Sequence, residues 1–209
     1  MNNNTDLTAN GRKLPLVEEF YTLQGEGYWY GTAAYFIRVG GCDIACHWCD
    51  SKYSWNADID KLLKVDNIVE NVKKHNADTV VVTGGEPLNY NLNYLCEKFH
   101  SNKIKTFLET SGSMQLSGQW NWICLSPKQN FPPVGQIYHL ANELKVIIHT
   151  DDDFVWAEYN SNIVNSNCRL YLQPEWGRRK EMTPKIVDYI KKNTKWHLSL
   201  QVHKFINIP

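Results

Sequence analysis

Apolar residues along this chain fall into two rhythms, short β-branched runs and longer stretches with apolar positions three and four apart. The run Ala33-Ala34-Tyr35-Phe36-Ile37-Arg38-Val39 predicts a strand that ends at Gly40-Gly41. Asp66 is the expected N-cap of a helix reaching about residue 75, with Ile68, Val69 and Val72 on one face. Residues 79–83 read TVVVT, the continuous run of a fully buried parallel strand. Leu92, Leu95, Cys96 and Phe99 follow the i, i+3, i+4, i+7 rule and give a second helix. Further strands are expected at 104–109, 122–125, 144–148 and 169–173. Two more helices are expected at 152–159 and 184–191, the second with Thr183 as N-cap and Pro184 in the first helical position. A last strand, 197–202, lies almost at the chain's end.

Strands alternating with helices imply a parallel α/β sheet with right-handed crossovers. Residues 110–121 and 126–143 carry no convincing helix, so a complete eightfold barrel of about 250 residues is excluded. The expected fold is a partial, open, parallel β/α barrel, a single domain over residues 1–209 with 1–13 as a flexible polar segment. An apolar fraction of 43% supports a sizeable core. Basic and acidic residues number 22 each, which argues against a broad basic face for nucleic acid. No apolar run is long enough to span a bilayer and the polar start has no secretory character, so a cytoplasmic location is expected.

Six cysteines divide into a cluster, Cys42, Cys46 and Cys49, and a scattered set, Cys96, Cys124 and Cys168. In a reducing compartment clustered thiols read as metal ligands rather than bridges, and thiols in apolar runs as small buried hydrophobes. The cluster follows a strand, where α/β sheets place their active sites. Closed zinc sites and electron-transfer [4Fe–4S] sites both take four ligands. His47 adjoins Cys46 and would have to fold back to act as a fourth. Three cysteines without a fourth suggest a cluster with one open iron; the alternative is a zinc knuckle using His47 or a distant residue. One strand–helix unit later comes Thr83-Gly84-Gly85-Glu86-Pro87. Its glycines are expected to let backbone approach a ligand, although such a run is also an ordinary turn.

The cysteine triplet after the first strand and the GGEP run after the second resemble the radical S-adenosylmethionine enzymes. That resemblance implies a [4Fe–4S] cluster on Cys42, Cys46 and Cys49, with the open iron chelating S-adenosylmethionine. Reductive cleavage then yields a 5′-deoxyadenosyl radical that abstracts a hydrogen atom. The flanks narrow the resemblance: Phe20-Tyr21-Thr22-Leu23-Gln24-Gly25-Glu26-Gly27, Cys49-Asp50-Ser51, Glu109-Thr110-Ser111-Gly112, Leu125-Ser126-Pro127-Lys128 and the ending His203-Lys204-Phe205-Ile206-Asn207-Ile208-Pro209. Together they are similar to the 7-carboxy-7-deazaguanine synthases of queuosine and 7-deazapurine biosynthesis. The implied reaction is ring contraction of 6-carboxy-5,6,7,8-tetrahydropterin to 7-carboxy-7-deazaguanine with loss of ammonia. It implies dependence on Mg²⁺, an electron donor such as flavodoxin or ferredoxin, and a homodimer.

Roles follow residue by residue. Arg38, mid-strand in an apolar run, offers a planar fork for the pterin carboxylate; the alternative is an arginine on a strand edge. Leu23, Gln24 and Gly25 are expected to meet the pterin's donor–acceptor edge, and Thr83 to touch substrate. Ser51 stands where the family places a hydroxyl ligand to Mg²⁺. The resemblance assigns S-adenosylmethionine contacts to Trp48, Cys49, Asp50, Gly85, Ser126, Pro127, Lys128, Gln173, Pro174, Glu175 and Trp176. The Pro209 carboxylate is expected to accept hydrogen bonds from the pterin's amino edge; alternatively, Ile206 and Ile208 simply cover the open side of the barrel. Two other readings remain at this point, a glycyl-radical-enzyme activase, which would accept a protein loop, and a zinc- or cluster-binding module.

Overall fold

The computed structural model describes residues 8 and 10–209, and these contain ten strands. They are β1 (Lys13–Leu14), β2 (Leu16–Leu23), β3 (Ala33–Val39), β4 (Leu63–Lys64), β5 (Thr79–Gly84), β6 (Lys105–Thr110), β7 (Trp122–Leu125), β8 (Glu143–Ile148), β9 (Arg169–Pro174) and β10 (Trp196–Leu198). The helices that position the site are α1 (Val65–Lys74), α2 (Asn93–Ser101), α3 (Ile137–Leu140), α4 (Asp153–Ser161), α5 (Arg179–Lys192) and α6 (Val202–Ile206). Eight strands form one sheet in the order β10-β9-β8-β7-β6-β5-β3-β2. All neighbours are parallel except β2, which runs antiparallel to β3. The sheet ends at β2 and β10, which gives the partial α/β barrel expected.

Period-two alternation sorts the strands into two faces. Tyr35, Ile37, Val82, Leu108, Leu125, Val146 and Leu172 pack into the core with α1, α2 and α5 through Ile68, Val72, Leu95, Phe99, Met182 and Ile186. The opposite face presents Phe36, Arg38, Thr83, Glu109, Lys145, Ile147 and Gln173 to a cavity. One strand register therefore fixes both the core and the site. Cys96, Cys124 and Cys168 are buried and free, and burial pushes the Cys96 and Cys168 thiols up to about 12.

Several expectations are corrected. Of the segment read as flexible, residues 1–7 and 9 lie outside the described residues, but Gly11 is buried and Lys13–Leu14 pairs with β4. β2 was not anticipated, because Val17-Glu18-Glu19-Phe20-Tyr21 breaks the alternation. Helix α1 starts at Val65, and Asp66 accepts from the Tyr94 hydroxyl at 2.9 Å instead of capping. Helix α5 starts at Arg179, so Thr183 and Pro184 lie inside it. Its start is fixed by Glu175, whose carboxylate accepts from the Gly177 and Arg178 amides at 2.8 and 3.0 Å. The last strand stops at Leu198, because the Val202 amide donates to the Gly25 carbonyl at 3.0 Å and turns the chain into α6.

Candidate active site

The cavity on the inner face has a volume of about 670 Å³, within the usual range for a small-molecule site. Its first wall is the loop after β3. Gly41 and Cys42 donate to the Ser54 and Trp55 carbonyls at 2.9 Å each, which closes the loop on itself. The GGEP run docks against the base of this loop. Gly84 has φ +146°, and a Cβ there would lie 2.1 Å from the Val39 carbonyl oxygen. A Cβ on Gly85 would lie 2.2 Å from the Gly41 oxygen. The Gly85 and Glu86 amides donate to Val39 and Gly41 at 2.9 and 2.8 Å. These two N–H groups thus hold the cysteine loop. The buried Glu86 carboxylate accepts from the Leu88 and Ser111 amides at 3.0 and 2.9 Å and from the Thr110 and Ser111 hydroxyls. It ties the β5 loop to the β6 loop.

Cys42, Cys46 and Cys49 are half-buried and all line the cavity. Burial pushes the Cys46 thiol up, and the Lys128 ammonium opposes that shift. Lys128 is itself fixed by the Ser126 carbonyl and hydroxyl at 2.5 and 2.8 Å, and lies 5.7 Å from the Trp48 ring centroid. Among the described residues, no three His, Cys, Asp or Glu side chains close around a single ion position. Three thiols spread along one cavity wall suit a multi-iron cluster, in which each thiolate takes its own iron, better than one zinc ion.

Beside this wall stands the polar floor. Lys145 donates to Glu26 at 2.6 Å and to Glu109 at 2.9 Å. Burial alone would pull its ammonium down, but the surrounding acidic groups hold it well above its ordinary value. Gln24 donates to Glu109 at 3.2 Å and accepts from the Glu26 amide at 3.1 Å. Its own amide and carbonyl are spent on Thr32 and Gly31, both at 2.8 Å. Gly25 is required by packing, since a Cβ would lie 2.3 Å from His203 Nδ1. Burial pulls His203 below its ordinary value, so the ring is neutral near pH 7.

Asp50 joins this floor to the chain's end. Burial would raise it, but hydrogen bonds from Lys204 and Gln201 win and hold its carboxyl at about 2. Ser51, whose hydroxyl donates to Asp50 at 3.2 Å, lines the same cavity. Arg38 and Thr83 are cross-strand partners on this face. Gln173 accepts from the Ser199 hydroxyl at 2.6 Å, and Pro174, Glu175 and Trp176 complete that side. Leu23 and Pro209 also line the cavity. Pro127 does not; its carbonyl faces the Trp156 indole at 3.4 Å. Phe205 and Ile206 are exposed, so Ile206 does not cover the barrel.

Behind the floor, Glu143 is buried, and its carboxylate accepts from the Tyr28 amide at 3.2 Å and the Trp122 indole at 3.1 Å. Desolvation raises its pKa to about 7. The native state therefore binds the extra proton between the ordinary 4.5 and about 7. The associated stability is full below 4.5 and is lost as pH rises through 7, on the order of 3 kcal/mol. Glu143→Gln keeps an acceptor and is expected to flatten this slope in urea unfolding measured between pH 4.5 and 8; an unchanged slope refutes the assignment.

Glu26, Glu109, Lys145, Gln201 and His203 were not assigned roles from sequence. Lys145 carries the signal that singled out Arg38, a charge within an apolar strand.

The Radical SAM superfamily matches residues 36–117. The chain is 54% identical over 199 residues to a protein of Flavobacterium psychrophilum named 7-carboxy-7-deazaguanine synthase, covering 95% of this chain and 94% of the relative. Its likeness to the Synechocystis protein of the same name is 45% over 93% of each chain. The crystal structure of QueE from Escherichia coli superposes with a TM-score of 0.82 at 26% identity, covering 95% of this chain and 98% of that one.

Proposed function

Because the chain belongs to the 7-carboxy-7-deazaguanine synthase family of radical SAM enzymes, we propose that its cavity contracts 6-carboxy-5,6,7,8-tetrahydropterin to 7-carboxy-7-deazaguanine with release of ammonia. One observation carries this reading: a single cavity gathers the Cys42, Cys46 and Cys49 thiols and the Arg38 guanidinium. Neither a glycyl-radical activase nor a zinc module has use for that guanidinium.

Cys42, Cys46 and Cys49 are the residues that would hold a [4Fe–4S] cluster. With S-adenosylmethionine bound, the cluster supplies a carbon radical able to take a hydrogen atom from the substrate. Lys128 offsets negative charge beside Cys46. Ser126, Gln173, Glu175 and Trp176 form the wall for S-adenosylmethionine. Arg38 takes the pterin carboxylate, and the parallel rings of Phe20 and Phe36, 5.5 Å apart, give an apolar wall for a flat bicycle. The backbone of Gln24 being spent, recognition of the pterin edge falls to the Gln24 and Glu26 side chains and the Pro209 carboxylate. Ser51, beside the ionised Asp50, supplies a hard oxygen for Mg²⁺. A flavodoxin or ferredoxin would deliver the electron, and a homodimer is the assembly this reading takes.

The test is anaerobic incubation of reconstituted protein with reductant, S-adenosylmethionine, Mg²⁺ and the carboxytetrahydropterin. Appearance of the deazapurine chromophore is expected, and its absence with an intact cluster overturns the assignment. Two glycines added after Pro209 move the terminal charge while Ile208 stays in place. A rise in KM for the pterin of roughly ten- to a hundredfold is expected, the loss of a charged hydrogen bond; an unchanged KM removes the carboxylate from the site.

A further inference from the structure

Arg38 does not enter the cavity alone. Its Nε donates to Glu18 Oε1 at 2.6 Å, and the Tyr53 hydroxyl donates to the same oxygen at 2.7 Å. The Tyr53 ring also lies under the guanidinium, 5.8 Å from its centre. Glu18, Arg38 and Tyr53 all line the cavity. They come from three separate pieces of chain: edge strand β2, strand β3 and the turn that follows the cysteine loop.

Glu18 reaches Arg38 through the register of the sheet. From Glu18–Arg38 to Leu23–Ala33 the β2–β3 ladder is regular, so Glu18 opposes Arg38 and Phe20 opposes Phe36 on the cavity face. The register shifts only beyond this stretch, between Leu16 and Glu18. The ladder thus places a carboxylate opposite the one cation of β3.

A guanidinium can grip a carboxylate through Nε and one terminal nitrogen, or end-on through both terminal nitrogens. Glu18 occupies Nε. Among the described residues, neither terminal nitrogen of Arg38 has a protein hydrogen-bond partner. We propose that Glu18 and Tyr53 are positioning residues that hold Arg38 for end-on, two-point capture of the substrate carboxylate through its terminal nitrogens. This rests on the reading of Arg38 as the carboxylate clamp and adds the groups that orient it. Glu18 weakens the net charge offered to the ligand and, in exchange, fixes the direction of the fork. Tyr53 links that direction to the turn beside Ser51.

The experiment compares Glu18→Ala, Glu18→Gln, Tyr53→Phe and Arg38→Lys in the reconstituted full chain. Affinities are measured for the carboxytetrahydropterin, for tetrahydropterin without the carboxylate, and for S-adenosylmethionine. Arg38→Lys keeps charge and loses the fork, so a loss of roughly ten- to a hundredfold is expected for the carboxylated ligand alone. Glu18→Ala frees Nε and is expected to lose about tenfold for that ligand, with the other two unchanged. Glu18→Gln keeps an acceptor and is expected to restore most of this affinity. Tyr53→Phe keeps the ring, loses one hydrogen bond and is expected to cost a fewfold. If Arg38→Lys leaves the carboxylated ligand unaffected, the clamp itself is wrong. If Arg38→Lys weakens that ligand and Glu18→Ala and Tyr53→Phe do not, the clamp stands and the positioning proposal is overturned. Equal weakening of all three ligands by Glu18→Ala means a structural role and also overturns it; should Glu18→Ala not fold, Tyr53→Phe decides alone by the same comparison.

Discussion

Replacing Cys42, Cys46 or Cys49 with alanine is expected to abolish iron–sulfur binding and with it all turnover. Each thiol lines the cavity and none is paired in a disulfide, so each is available as a ligand. With three ligands on one loop, losing one leaves two, and neither His47 nor a scattered cysteine stands ready as a substitute. Cys96 on α2, Cys124 on β7 and Cys168 just before β9 are all buried. Their replacement by serine or alanine is expected to cost on the order of 1 kcal/mol of packing and to leave the cluster intact. Iron analysis and visible absorbance after anaerobic reconstitution check both halves. Full iron content in the Cys46→Ala protein would falsify the ligand set.

The second large effect is at Lys145. Its ammonium bridges Glu26 and Glu109 in the buried floor, and Glu143 lies on the same strand two residues away. Lys145→Met keeps the volume and leaves the carboxylates without a counter-ion. Breaking a buried pair from one side costs about 3–5 kcal/mol. In the native protein, burial raises Glu26 but Lys145 and the hydrogen bonds from Lys145 and Gln201 outweigh it, so its pKa is lowered. Without Lys145, burial dominates and the folded-state value moves above the unfolded one. Stability of the variant is then greatest at low pH and is lost as pH rises through the new value. Urea unfolding of both proteins at pH 5 and pH 8 checks this, with a larger deficit expected at pH 8. An equal deficit at both would show that the loss is one of packing alone.

The parallel sheet and its core were legible because they depend on local periodicity: TVVVT in β5 and the spacing of Leu92, Leu95 and Phe99 in α2 need no distant partner. The cysteine loop was legible because its chemistry is contained in eight residues. Arg38 stood out as a charge in an apolar strand, but its Glu18 partner depends on the register of β2 against β3, which no local pattern announces. Lys145 is neutralised by a carboxylate 119 residues away, which only the folded sheet brings near. The same holds for the end of the last strand, where 197–202 alternates as a strand should. The contact between Val202 and Gly25 redirects it, and the side chains freed from the ladder, Ser199 and Gln201, bond to Gln173 and to Glu26 and Asp50 instead. For α5, Pro184 suggested a start that the Glu175 turn sets earlier.

The most direct test is a crystal structure of the anaerobically reconstituted protein with S-adenosylmethionine and 6-carboxy-5,6,7,8-tetrahydropterin. The account predicts a [4Fe–4S] cluster on Cys42, Cys46 and Cys49, with S-adenosylmethionine against Ser126, Gln173 and Trp176. It predicts the pterin carboxylate on the terminal nitrogens of Arg38 in the same cavity. A pterin bound outside that cavity, or a cluster held by any other cysteine, would contradict it.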